Sequence, residues 1–199
     1  MTPDLFTGFP LRRARVHEVF GPSAMGFAAM AAGLSAGSSE GCLLWIREAW
    51  QADHLQPPGL AAFLDPAALL MARTRDQTDS LAVAEEALRD GTVPFVVIEL
   101  TRPLNLREGR RLQLAAKAGG TTGLCIIPEG MGSNAAETRW HATPVFDPAH
   151  EDSTLMRWQI TKNKSGTLGV WDVRWIAETR RLHVVSPPLV RAGAADLPG

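Results

Sequence analysis

Four short apolar runs decide what kind of sheet this chain can build: Cys42 to Ile46, Ala68 to Ala72, Val93 to Leu100 and Gly123 to Ile127. A strand with one wet face alternates apolar and polar side chains. A strand covered by helices on both faces is apolar without a break. Val93-Pro94-Phe95-Val96-Val97-Ile98-Glu99-Leu100 is the strongest of the four, rich in β-branched residues and closed by a carboxylate. Helical segments separate the runs. A helix from about Asp76 puts Leu81, Ala84 and Leu88 on one face and stops before Gly91. Asn105 with Glu108 resembles a capping box and opens a helix that ends at Gly119-Gly120. Nearer the N-terminus, Val16, Val19 and Phe20 read as a short buried strand, and Phe27 to Leu34 as a helix packed on both sides. Strands alternating with helices imply βαβ units, hence an α/β fold with a mainly parallel sheet flanked by helices.

The last third changes style. Leu155 to Thr161, Gly169 to Trp175 and Arg181 to Val185 alternate apolar and polar residues, as antiparallel strands with one wet face do. Trp171, Val173 and Trp175 share one face by the two-residue period, and Gly166 and Glu178-Thr179 mark the turns. The reading is a single domain over residues 15–186, preceded by an irregular arm over 1–14 that exposes Arg12 and Arg13. A flexible tail follows over 187–199.

The chain has 199 residues, enough for one such domain, and its net charge of −1 supplies no global field toward nucleic acid or anionic lipid. Any DNA contact is therefore weak or indirect. Cys42 and Cys125 are far apart and lie in or beside apolar strands, so both read as buried free thiols; neither has a zinc spacing. His17, His54, His141, His150 and His183 are scattered, and no metal or cofactor site emerges. The N-terminus lacks a signal-type apolar stretch, and no run approaches the roughly 18 residues of a membrane span. That places the protein in the cytoplasm with no membrane contact. The six tryptophans lack an interleaved basic stripe, which favours core or partner-interface packing over base stacking.

Between the first strand and first helix lies a phosphate-binding frame without its chemistry. A P-loop reads G-x-x-x-x-G-K-[ST], its Lys meeting the β/γ-phosphates and its hydroxyl holding Mg²⁺. Gly21 and Gly26 keep the spacing, but Phe27 stands at the lysine position and Ala28 at the Ser/Thr position. Burying a Phe side chain is worth about 1.5–3 kcal/mol, so Phe27 is expected to plug the old pocket. No phosphoryl transfer is expected without the Lys and the metal clamp.

Three segments together resemble the RecA recombinase core, and more closely the ImuA family of RecA-like accessory proteins from bacterial mutagenic repair cassettes. They are Arg15–Ala28, Leu69–Leu100, and Arg157-Trp158-Gln159-Ile160-Thr161-Lys162-Asn163-Lys164 followed by Gly169-Val170-Trp171-Asp172-Val173-Arg174-Trp175. The resemblance implies a RecA-like core with C-terminal antiparallel strands. It puts Glu99 at the Walker B-like position and Glu129 where recombinases carry a γ-phosphate-sensing glutamine. It also puts Ala49 where a recombinase has its catalytic carboxylate, with Glu48 one residue off. Gly130 to Glu137 corresponds to a reduced DNA-binding loop without Lys or Arg. The implied interface residues are Lys162 and Lys164, which in recombinase filaments reach the neighbour's ATP, together with Trp158, Trp171, Arg174 and Trp175.

The function implied is a non-catalytic adaptor in SOS-induced error-prone translesion synthesis. Its implied partners are an ImuB-like protein related to Y-family polymerases, an error-prone polymerase, and RecA. A SulA-like cell-division inhibitor binding FtsZ is the alternative, and an active ATPase or recombinase ranks below both.

Overall fold

The computed structural model of the protein describes residues 10–36, 42–148, 154–185 and 189–192. The described residues form ten strands: β1 (Val16–Phe20), β2 (Leu43–Glu48), β3 (Leu69–Thr74), β4 (Phe95–Glu99), β5 (Thr122–Ile126), β6 (Thr138–Pro144), β7 (Met156–Asn163), β8 (Thr167–Ile176), β9 (Arg181–Val184) and β10 (Leu189–Ala192). The α-helices are α1 (Ala24–Ala36), α2 (Pro57–Ala61), α3 (Gln77–Asp90) and α4 (Leu106–Gly119). All ten strands join one sheet of order β10-β8-β7-β6-β1-β5-β4-β2-β3, with β9 also paired to β8. The six from β6 to β3 in that order run parallel. The pairings among β6 to β10 are antiparallel. The runs of β2, β4 and β5 thus lie where helices cover both faces, and the alternating segments lie at one flank. The Ala68–Ala72 run differs: from Leu69 it forms β3 at the sheet edge, where Leu70 and Met71 are exposed.

The two faces carry separate cores. Trp45, Phe95, Val97 and Leu124 pack with α1, whose residues from Phe27 to Ala32 are all buried. Ile46, Val96, Ile98 and Cys125 pack beneath α3 and α4 with Ala84, Leu88, Leu112 and Ala116. Helix ends follow their sequence signals. Asp76 accepts the Asp79 amide, and Asn105 and Glu108 form the full capping box. Gly91 and Gly120 close the two helices in the left-handed region at φ +80° and +71°.

Four further features differ from the sequence reading. Residues 138–144, left unassigned between a loop and the first alternating strand, form β6. It runs parallel to β1 and antiparallel to β7, so it joins the two parts of the sheet. Residues 189–192, read as flexible tail, form β10 on the edge of β8. The Leu189-Val190 pair suits an edge strand. Residues 186–188 and 193–199 lie outside the described residues, as do 1–9 of the arm. The described end of the arm is anchored: Pro10 is buried, and exposed Arg12 pairs with Glu137 at 2.9 Å. Cys42 precedes β2 and is exposed, whereas Cys125 is buried. Among the described residues no helix is long and apolar enough to cross a membrane.

A buried polar chain links the arm to β6. His17 is fully buried, with Nε2 2.9 Å from the Arg12 carbonyl and Nδ1 2.7 Å from Thr138 Oγ1. Trp140 Nε1 donates to the same hydroxyl oxygen at 2.8 Å. In the one consistent arrangement, neutral His17 donates through Nε2 and accepts the Thr138 hydroxyl proton at Nδ1.

Candidate functional site

The Gly21–Ala28 segment is folded as a tight turn and a helix start. Helix α1 begins at Ala24, so Gly26 lies within its first turn. Three amides of this segment donate into the protein's own backbone. Ser23 N–H donates to the Ala142 carbonyl of β6 at 3.1 Å, Ala24 N–H to Gly21 at 3.0 Å, and Phe27 N–H to Ser23 at 2.9 Å. The two glycines differ in what their surroundings require. Gly21 sits at φ +100°, and a Cβ there would come within 2.6 Å of the Ala142 carbonyl oxygen and 2.7 Å of the His141 ring. That ring stacks on Phe20, with centroids 4.7 Å apart. A Cβ at Gly26 would meet only Met156 Cε of β7 at 2.6 Å, the end of a flexible side chain that can move aside.

Phe27 and Ala28 point into the core and are fully buried. The Phe27 ring lies 4.3 Å from Trp158 and 5.5 Å from Trp140 between centroids. Trp171 completes the group, 5.7 Å from Trp140. The P-loop lysine position is therefore the centre of an aromatic cluster supplied by β6, β7 and β8. Trp175 packs on Phe63 and donates Nε1–H to the Ala62 carbonyl at 2.7 Å. Trp158, Trp171 and Trp175 are at most 3% exposed. The three tryptophans read as interface candidates are thus core residues of this chain, because their strands turn the alternate face inward. Of the six tryptophans, Trp50 is the exposed one, and its Nε1 donates to Glu48.

The carboxylates near the sheet's C-terminal edge already have partners. Glu99 ends β4 on the α1 face. Its Oε1 accepts Trp45 Nε1–H at 2.7 Å, and Arg47 Nη2 lies 3.4 Å from Oε2. Burial raises its carboxyl above the ordinary range; the Trp45 hydrogen bond and Arg47 oppose the rise, and Asp53 adds to it. Glu48 projects to the opposite face with Ile46, accepting Thr101 Oγ1–H and Trp50 Nε1–H, each at 2.6 Å. Sequence reading missed Trp45 and Arg47 as partners of Glu99, although the two-residue period of β2 puts both on that face. Glu129 is exposed in the turn after β5. A cavity of about 340 Å³ lies farther out on the α1 face, lined by Arg47, His54, Leu60, Leu69, Met71 and Arg73, among others, and by none of the P-loop-frame residues.

The two candidate lysines fold back onto the chain. Lys162 Nζ donates to the Asn134 carbonyl at 3.0 Å and also to Ala136, while Lys164 Nζ donates to Ala135 at 2.7 Å. Burial, then Lys164 and Arg139, lower the Lys162 pKa. The segment they hold is the reduced loop of the sequence reading. It is further fixed by Glu18, which is 1% exposed and accepts Ser133 N–H and Arg139 Nε–H, both at 2.8 Å. The loop is packed against α4, and Ser133, Ala135, Ala136 and Glu137 are buried. Arg174 is half-buried and paired with Asp147.

No family model matches the chain. It is 32% identical over 146 residues to Protein ImuA of Caulobacter vibrioides, in each of two strains, an alignment covering 71% of this chain and 55% of the relative. The chain spans about half the length of these curated relatives. Among solved structures, the RadB recombinase superposes with a TM-score of 0.61 at 14% identity, covering 87% of this chain and 92% of that one. This likeness shows the fold: a RecA-like core with antiparallel strands added at one flank.

Proposed function

From the premise that the chain belongs to the ImuA family on a RecA-type core, we propose that it is a non-catalytic adaptor in mutagenic DNA-damage tolerance. In this reading it acts in SOS-induced translesion synthesis in the cytoplasm. It binds an ImuB-like partner, and through it an error-prone polymerase, with RecA as a further contact. The observation that supports the reading is the position of Phe27. A nucleotide-driven machine needs an open cradle with a lysine aimed at phosphate. Here the corresponding side chain is wedged between Trp140 and Trp158, and the turn before it is bonded to β6. A domain so built keeps the recombinase shape as a rigid surface for association.

The test is co-purification of the tagged chain with its ImuB-like partner after DNA damage. Recovery is expected to be the same, within twofold or so, with and without Mg-ATP. Absence of the partner, or recovery only with nucleotide, contradicts the proposal.

A further inference from the structure

The outer face of α4 carries a stripe that neither the core nor the P-loop frame uses. At about 100° per residue, Leu106, Lys117, Arg110, Leu114 and Arg107 project within roughly a third of a turn of one another. All five are exposed, Leu106 by 48% and Leu114 by 68%. The opposite side of the helix, with Gly109, Leu112, Ala115 and Ala116, is buried. The neighbouring charges are already paired, Arg111 with Glu85 of α3 and Glu108 with Arg102. Among the described residues Arg107, Arg110 and Lys117 enter no ion pair, and the stripe contains no carboxylate. It is therefore a cationic surface with two leucines set into it.

The combination is selective about what it fits. A single exposed leucine needs no explanation; two in line among three cations without an ion-pair partner among the described residues form a mixed apolar and cationic strip. Cations alone suit a phosphate backbone, but leucines gain nothing from one. An amphipathic segment with acidic and apolar side chains satisfies both components: apolar anchors bury the leucines, and carboxylates face the cations. The stripe runs about 17 Å along the helix, matching about three turns of a docked helix.

We infer that this face of α4 docks an acidic, amphipathic helical segment of a protein partner. The inference rests on the adaptor reading and names the surface that reading leaves open. The test measures binding of the full chain to the ImuB-like partner by biolayer interferometry at two salt concentrations. Arg110→Glu with Lys117→Glu is expected to weaken binding at least tenfold and to flatten its salt dependence. Leu114→Ser weakens it at both salts, and Leu106→Ser provides an independent apolar variant. Arg181→Glu, on β9, leaves binding unchanged. Melting temperatures matching the wild type separate docking from folding. Equal binding by the wild type and the stripe variants overturns the α4 surface and leaves the adaptor reading intact. So does a loss confined to single-stranded oligonucleotide binding, which would assign the face to nucleic acid. No binding of the partner by the wild type removes both.

Discussion

Phe27→Lys with Ala28→Thr, the pair that restores the P-loop residue types, is expected to unfold the domain and not to create an ATPase. Phe27 fills the space between Trp140 and Trp158. Removing a buried Phe side chain costs about 3–5 kcal/mol. A lysine in the same place adds the cost of taking an ammonium out of water with no acidic partner among its aromatic neighbours. The sum approaches the whole stability of an ordinary domain, about 5–15 kcal/mol. Phe27→Leu keeps the site apolar and is expected to lose roughly 1–2 kcal/mol. Urea unfolding followed by tryptophan fluorescence distinguishes these outcomes. A lysine variant as stable as wild type would show that position 27 faces an open pocket.

Acid is expected to weaken the fold through His17. Burial, chiefly, lowers its pKa from 6.5 to about 4; the bond to the Arg12 carbonyl opposes the shift, and the Arg12 and Arg15 charges add to it. The unfolded chain takes up this proton more readily than the folded one. The His17 contribution is therefore fully present above pH 6.5 and is lost as pH falls toward 4. The difference amounts to about 3 kcal/mol. Protonation would place a charge in the core and turn Nδ1 into a donor, so Thr138 Oγ1 would accept from both His17 and Trp140 and its own proton would lose the Nδ1 acceptor. Glu99 has the opposite sign. Its raised carboxyl pKa makes the folded form take up a proton first on acidification. The measurement is therefore a difference: denaturant stability of wild type minus His17→Gln between pH 7 and 4. Wild type is expected to lose about 3 kcal/mol more than the variant. Parallel curves would contradict a neutral, buried His17.

The inner parallel strands β2, β4 and β5 were legible because strands covered on both faces leave unbroken apolar runs, and the helices were legible from Asp76, Gly91, Asn105 and Glu108. The same pattern in β3 misled about burial, because an edge position leaves Leu70 and Met71 exposed. Strand β6 was not. Its inward residues are Thr138, Trp140 and Ala142, of which only Trp140 is large and apolar, so the alternation is faint. Its position is set by pairing with β1 and β7, which no local pattern encodes. The P-loop frame was visible in Gly21, Gly26, Phe27 and Ala28. The reason for Gly21 was not, because it lies in β6, far along the chain. For the same reason Lys162 and Lys164 looked like surface groups, although their ammoniums reach back to carbonyls 134–136. Sequence shows which side chains exist; long-range pairing decides where charged ends of long side chains come to rest.

Titration of Mg-ATP into the folded full chain by calorimetry tests the loss of the phosphate cradle most directly. The expected result is no saturable heat up to about 1 mM nucleotide, a concentration at which even a millimolar site would be half filled. Saturable, magnesium-dependent binding would contradict it, and decisively so if Ser23→Pro, which removes the amide bonded to Ala142, changed that binding.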